Sequence, residues 1–149
     1  MRKQCVLMVE RMVFDMFYLD TNIFVFASVF SGDKSERAKK LLKDLADDKI
    51  SAATNILTIE ETIWVLLKIT KDREFSIEQG SRLLSIKRLK LLSSTQTTMI
   101  NAVALLKKYK KIKPRDALHA ASCIENNIKS IVSDDSDFEE IKEVKRVRL

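Results

Sequence analysis

The chain has 149 residues, the length of one ordinary domain, and 46% of them are apolar, which is enough for a packed core and excludes a disordered chain. Two glycines and one proline are too few for the many tight turns of a β-sandwich or barrel. Lys and Arg outnumber Asp and Glu by 27 to 21, a net charge of +6, which is compatible with a nucleic-acid partner and equally with a solvated, Lys-rich surface.

Residues 1–15 carry no clear period and are expected to be an appendage, with Met12 and Met16 as alternative starts. Glu10, Arg11 and Asp15 interrupt their apolar residues, so no secretory signal is expected there. Residues 16–19 are an apolar run without polar alternation, the pattern of a buried strand, and Asp20 ends it. A helix over 22–30 follows, with Asp20 or Thr21 near its cap, until Ser31, Gly32 and Asp33 break it. Ala38, Leu41, Leu42 and Leu45 predict an amphipathic helix over 35–46. Residues 50–53 are a short candidate strand. Thr54 or Asn55 opens a helix to about residue 71, with Ile56, Ile59, Ile63, Leu66 and Leu67 as its buried stripe. Ser76 is the expected cap of the next helix, and residues 88–92 are a candidate strand. Ser94 is the expected cap of a helix reaching Tyr109, carried by Met99, Val103 and Leu106. After a basic link over 110–113, Pro114 stands where a helix prefers proline, in its first turn. A strand over 129–133, a short helix over 135–141 and a strand over 144–149 complete the chain. Strands alternating with helices predict one α/β domain over residues 16–149, in three layers, with a central, mostly parallel sheet flanked by helices.

In an open α/β sheet, ligands bind beyond the carboxyl ends of the strands. Asp20 ends the first strand, Asp134, Asp135 and Asp137 follow the strand over 129–133, and Asp116 lies in the first turn after Pro114. Glu61, beside Glu60, stacks on its helix with Trp64, Val65 and Lys68 at the margin of the apolar stripe. Each acid alone also has an ordinary structural role, as a cap, a helix-dipole partner or solvated surface. Together they form a set of hard oxygen ligands that suits a divalent cation and would repel one another without it. Cys5 and Cys123 make no paired-thiol motif and His119 is the sole histidine, which excludes a structural zinc site and fits a reducing compartment.

The segment Tyr18-Leu19-Asp20-Thr21-Asn22-Ile23-Phe24 resembles the opening motif of the PIN-domain nucleases. Leu57 to Leu66 is similar to that family's second acidic segment, Arg115-Asp116-Ala117-Leu118-His119-Ala120-Ala121 to the third, and Ile131 to Phe138 to the fourth. Within the family the resemblance is strongest to the VapC toxins of prokaryotic toxin–antitoxin pairs. It implies that Asp20, Glu61, Asp116 and Asp135 are the catalytic acids, that Asp20, Asp116, Asp135 and Asp137 lie at a Mg²⁺ or Mn²⁺ ion, and that Thr21, Asn22 and Ser133 support them. Motif spacing selects Glu61 over Glu60 and Asp135 over Asp134. The implied activity is metal-dependent hydrolysis of RNA phosphodiesters, with a small antitoxin partner, a homodimeric state and a cytoplasmic location.

The basic run ahead of Asp116 offers Lys110, Lys111, Lys113 and Arg115 as a rim that binds RNA phosphates. A second run, Lys142, Lys145, Arg146 and Arg148, crowds the end of the chain. His119 reads as a helix residue packing against its neighbours, and Trp64 as core. Two other functions compete with this one. A haloacid-dehalogenase-type phosphatase needs a second Asp where Asn22 stands. A PIN-like RNA-binding or scaffold module would keep the fold without turnover.

Overall fold

A computed structural model describes residues 16–149. The expected appendage over residues 1–15 lies outside the described residues. Five strands and six helices alternate: β1 (Phe17–Leu19), α1 (Thr21–Val29), α2 (Asp33–Ala46), β2 (Ala52–Asn55), α3 (Ile56–Thr70), α4 (Arg73–Leu84), β3 (Leu89–Leu92), α5 (Gln96–Lys108), α6 (Pro114–Glu125), β4 (Ser130–Val132) and β5 (Lys145–Val147), with a 3₁₀ turn at Ser136–Glu140 before the last strand. The sheet order is β3-β2-β1-β4-β5 and every pairing is parallel. The expected α/β class and layered sheet are therefore present.

Side-chain alternation along the strands divides the core into two layers. Phe17 and Leu19 face one side with Ala52, Leu89 and Val132, where Ile23, Phe24, Leu45 and Ile59 of α1 to α3 cover them. Tyr18, Ala53 and Ile131 face the other side, covered by Ala102 and Leu105 of α5 and by Ala117, Ala120 and Ala121 of α6. Residues Asp116 to Cys123 of α6 are all buried, and their small side chains let the helix lie close to the sheet. The polar ones among them then need partners within the fold, and two of them, Asp116 and His119, belong to the site.

Some local expectations are corrected. Asp72, not Ser76, caps α4: its carboxylate accepts from Phe75 N, and Ser76 lies inside the helix. Thr95, not Ser94, caps α5 in a reciprocal box with Thr98. Ser94 instead donates to Asn55 Oδ1, which links the end of β3 to the end of β2. Trp64 is not core: it is 47% exposed, with the Lys68 ammonium 3.7 Å from its ring centroid. Among the described residues no helix is long and apolar enough to cross a membrane.

Candidate active site

Strand order reverses between β1 and β4, and that crevice is where an open parallel sheet presents a ligand site. Asp20 directly follows β1 and caps α1, with Oδ1 accepting from Thr21 N at 2.7 Å. Its other oxygen accepts from Ser133 Oγ at 2.6 Å and Asn22 Nδ2 at 2.8 Å. The cap thus uses one oxygen of Asp20, and the contacts with Ser133 and Asn22 use the other. Ser133 Oγ also accepts from Asp135 N at 3.0 Å, so one hydroxyl ties the acid after β1 to the loop after β4.

That loop and α6 converge. Asp116, Asp135 and Asp137 each present a carboxylate oxygen within 4.8 Å of the others, across separations of 19 and 21 residues in sequence. Asp116 is aimed by the first turn of α6, where its carboxylate accepts from Lys113 N at 3.0 Å. Asp135 caps the 3₁₀ turn through Asp137 N at 2.9 Å. Burial raises the Asp116 pKa; the neighbouring charges of Asp135 and Asp20 add to this against the Lys113 N–H. Asp134 points away and pairs with Lys34 at 2.7 Å.

Glu61 reaches the site from α3 and accepts from Thr21 Oγ1 at 2.8 Å. Burial alone would push its pKa up, but hydrogen bonds from His119 and Thr21 and the charges of His119 and Arg115 outweigh it and carry it down to about 2. Glu60 is the exposed neighbour, with Arg115 at 3.9 Å.

His119 departs from the sequence expectation of simple packing. It is buried one turn after Asp116, with Nε2 3.5 Å from both Asp20 Oδ1 and Glu61 Oε2. Its Nδ1 lies 2.7 Å from the Tyr18 hydroxyl, which itself accepts from Asn55 N at 3.0 Å. With a neutral imidazole, Tyr18 donates to Nδ1 and the ring proton sits on Nε2. With a charged imidazole, Tyr18 accepts from Nδ1 and turns its own proton to Thr58 Oγ1 at 3.3 Å. In both states an Nε2–H faces the two carboxylates. Burial opposes charge on the ring, but the hydrogen bond to Glu61 and the charges of Asp20, Glu61 and Asp116 prevail, and the His119 pKa is raised. The i, i+3 spacing from Asp116 was the signal for this residue; Tyr18, inside an apolar run, left none.

Of the basic rim, Lys113 and Arg115 turn toward the acids. Lys113 Nζ is 2.9 Å from Asp137 and 3.7 Å from Asp135, and Arg115 is 3.1 Å from Glu61. Lys111 pairs with Glu140 at 3.0 Å, and Lys110 is exposed.

A parallel α/β sheet with buried and half-buried acids gathered at its switch point defines a broad class of ligand-binding and hydrolytic domains. The PIN domain family model matches residues 17–144, and the chain belongs to that family. Solved structures share the fold at low identity. Mycobacterium tuberculosis VapC20, a sarcin-ricin-loop-cleaving toxin, has a TM-score of 0.73 at 18% identity, covering 89% of this chain and 99% of that one. VapBC2 from Rickettsia felis, bound to a promoter DNA fragment, gives 0.70 at 20% over 89% and 98%. DNA-bound VapBC from Salmonella typhimurium gives 0.68 at 19% over 90% and 98%. No curated protein matches the chain.

Proposed function

We propose that the protein is a Mg²⁺- or Mn²⁺-dependent ribonuclease, the toxin of a toxin–antitoxin pair. The observation that carries this reading is the convergence of Asp116, Asp135 and Asp137 within 4.8 Å, with Asp20 joined to them through Ser133. The donor set is all oxygen, which fits a hard divalent cation. The Lys113 ammonium drawn against Asp137 supports the same conclusion, because the cluster attracts positive charge.

Asp20, Asp116, Asp135 and Asp137 would hold the ion. When bound, it lowers the pKa of a coordinated water and offsets charge on the scissile phosphate. The chain's own groups do the rest. Glu61, kept ionised by its neighbours, orients the attacking water by accepting its hydrogen bond. His119 and Thr21 fix Glu61, and Asn22 and Ser133 fix Asp20. Lys110, Lys111, Lys113 and Arg115 bind flanking phosphates. Hydrolysis leaves a 5′-phosphate and a 3′-hydroxyl.

A small antitoxin partner and a cytoplasmic location follow from the VapC resemblance. A homodimer follows from the same resemblance, and Met99, Ile100 and Val103 leave an exposed apolar stripe on α5 for a partner surface.

Cleavage of a mixed RNA substrate tests the reading. Mn²⁺ should support it and EDTA should abolish it. Asp116→Asn and Asp20→Asn should each reduce it by about a hundredfold or more while leaving the fold intact. Undiminished cleavage by either variant rejects the assignment, and RNA binding without any cleavage by the unaltered chain leaves a binding module.

A further inference from the structure

The basic run at the end of the chain reads as solvated surface, yet Arg146 leaves it. Its side chain is 7% exposed, whereas that of Arg148, two residues on, is 76% exposed. From β5 the Arg146 guanidinium reaches across the end of β4. Nε donates to the Ser133 carbonyl at 3.1 Å, Nη2 to the Asp134 carbonyl at 2.8 Å, and Nη1 to Glu139. One planar fork thus holds two successive carbonyls on one side of the loop.

In a trans peptide the C=O and the following N–H point in opposite directions. Gripping the Ser133 and Asp134 carbonyls therefore turns the N–H groups of Asp134 and Asp135 to the other side. There Asp134 N donates to Asn22 Oδ1 at 3.3 Å and Asp135 N to Ser133 Oγ at 3.0 Å. Asn22 and Ser133 are the two side chains that hold Asp20 Oδ2. The two peptide planes are thus fastened from below by Arg146 and from above by the support of Asp20.

We propose that Arg146 is a positioning residue for the metal-binding acids: it sets the two peptide planes between Ser133 and Asp135, and through them the placement of Asp135 and Asp137 relative to Asp20. The inference rests on the metal-ion reading of the site. Glu139 neutralises the guanidinium at the rim without touching the acids, so the carbonyl contacts carry the effect. Lysine keeps the charge but lacks the fork, and cannot hold both carbonyls in one plane.

Mn²⁺ binding to the folded, RNA-free chain, read by electron paramagnetic resonance at low temperature, tests this. Arg146→Met and Arg146→Lys should each weaken Mn²⁺ by about tenfold or more, the scale of outer-shell changes at metal sites. Glu139→Gln should change it less than about twofold. In both Arg146 variants the backbone amides of Asp134 and Asp135 should exchange with solvent faster than in the unaltered chain. A residue that serves only stability would lower the melting temperature and leave the Mn²⁺ affinity of the folded molecules unchanged; that result overturns the proposal. Should Arg146→Met fail to fold, Arg146→Lys decides in the same way. If the unaltered chain binds no Mn²⁺, the metal reading itself falls, which is a distinct outcome from equal binding by all the proteins.

Discussion

His119 concentrates the site's demands in one ring. It satisfies a buried phenol on one side and faces two carboxylates on the other, at 2.7 Å from Tyr18 and 3.5 Å from each acid. Replacing it with Phe keeps an aromatic ring but removes both nitrogens. His119→Phe should cost about 1–3 kcal/mol in urea unfolding, because polar groups in a buried site lose a partner. RNA cleavage at saturating Mn²⁺ should fall about tenfold or more, since Asp20 and Glu61 lose the N–H between them. Cleavage equal to that of the unaltered chain would assign the ring to packing alone. The positions of Asp20, Asp116, Asp135 and Asp137 were legible because each stands at or beside the end of an element, where side chains reach a sheet edge, whereas Glu61, inside α3, was marked only by motif spacing. The spacing of His119 from Asp116 was visible but its partner was not, because 101 residues separate it from Tyr18; Arg146 reads as one more charge in a basic run, since the carbonyls it grips, 12 and 13 residues back, leave no mark in a side-chain pattern.

At the scale of elements, the approach of α4 to α3 depends on a missing side chain. A Cβ at Gly80 would lie 2.4 Å from Ile63 Cδ1 and 2.5 Å from Ile63 Cγ1. Gly80→Val should therefore force the helices apart and cost about 1–3 kcal/mol. Because α3 carries Glu61, the same variant should lower cleavage more than Mn²⁺ affinity. A loss below about 0.5 kcal/mol in chemical denaturation would mean that the helix pair repacks freely. Periodicity located α4 and α5, but their caps were misplaced, whereas α3 opens at the expected Asn55. Ser76 and Ser94 have the right chemistry for caps, and neighbours at Asp72 and Thr95 have it too. Competing hydroxyls and carboxylates a few residues apart are separated only by where the chain must turn to pack.

For the whole molecule, the site joins β1, α3, α6 and the loop after β4, so a ligand that bridges the acids should stabilise the entire domain. Mn²⁺ at a hundredfold excess over its dissociation constant should add about 2.7 kcal/mol. That corresponds to a rise in melting temperature on the order of 10 °C. Asp116→Asn should lose most of the shift, and calorimetry with and without EDTA reads both. No shift in the unaltered chain would remove the ion from the fold's energetics.

Residue order alone determined the alternation of strands and helices, the two-sided burial of the sheet and the positions of the acids along the chain, because these follow from local periodicity and chain-end chemistry. Which carboxylates share one space was decided by tertiary structure: parallel pairing of β1 with β4 sets Asp20 beside the loop of Asp135, and the packing of α6 brings Asp116 to it. The grip of Arg146 on two carbonyls and the partners of His119 belong to that second level as well. Backbone groups leave no trace in the pattern of side chains, and contacts across a sheet have no fixed spacing from which they could be read.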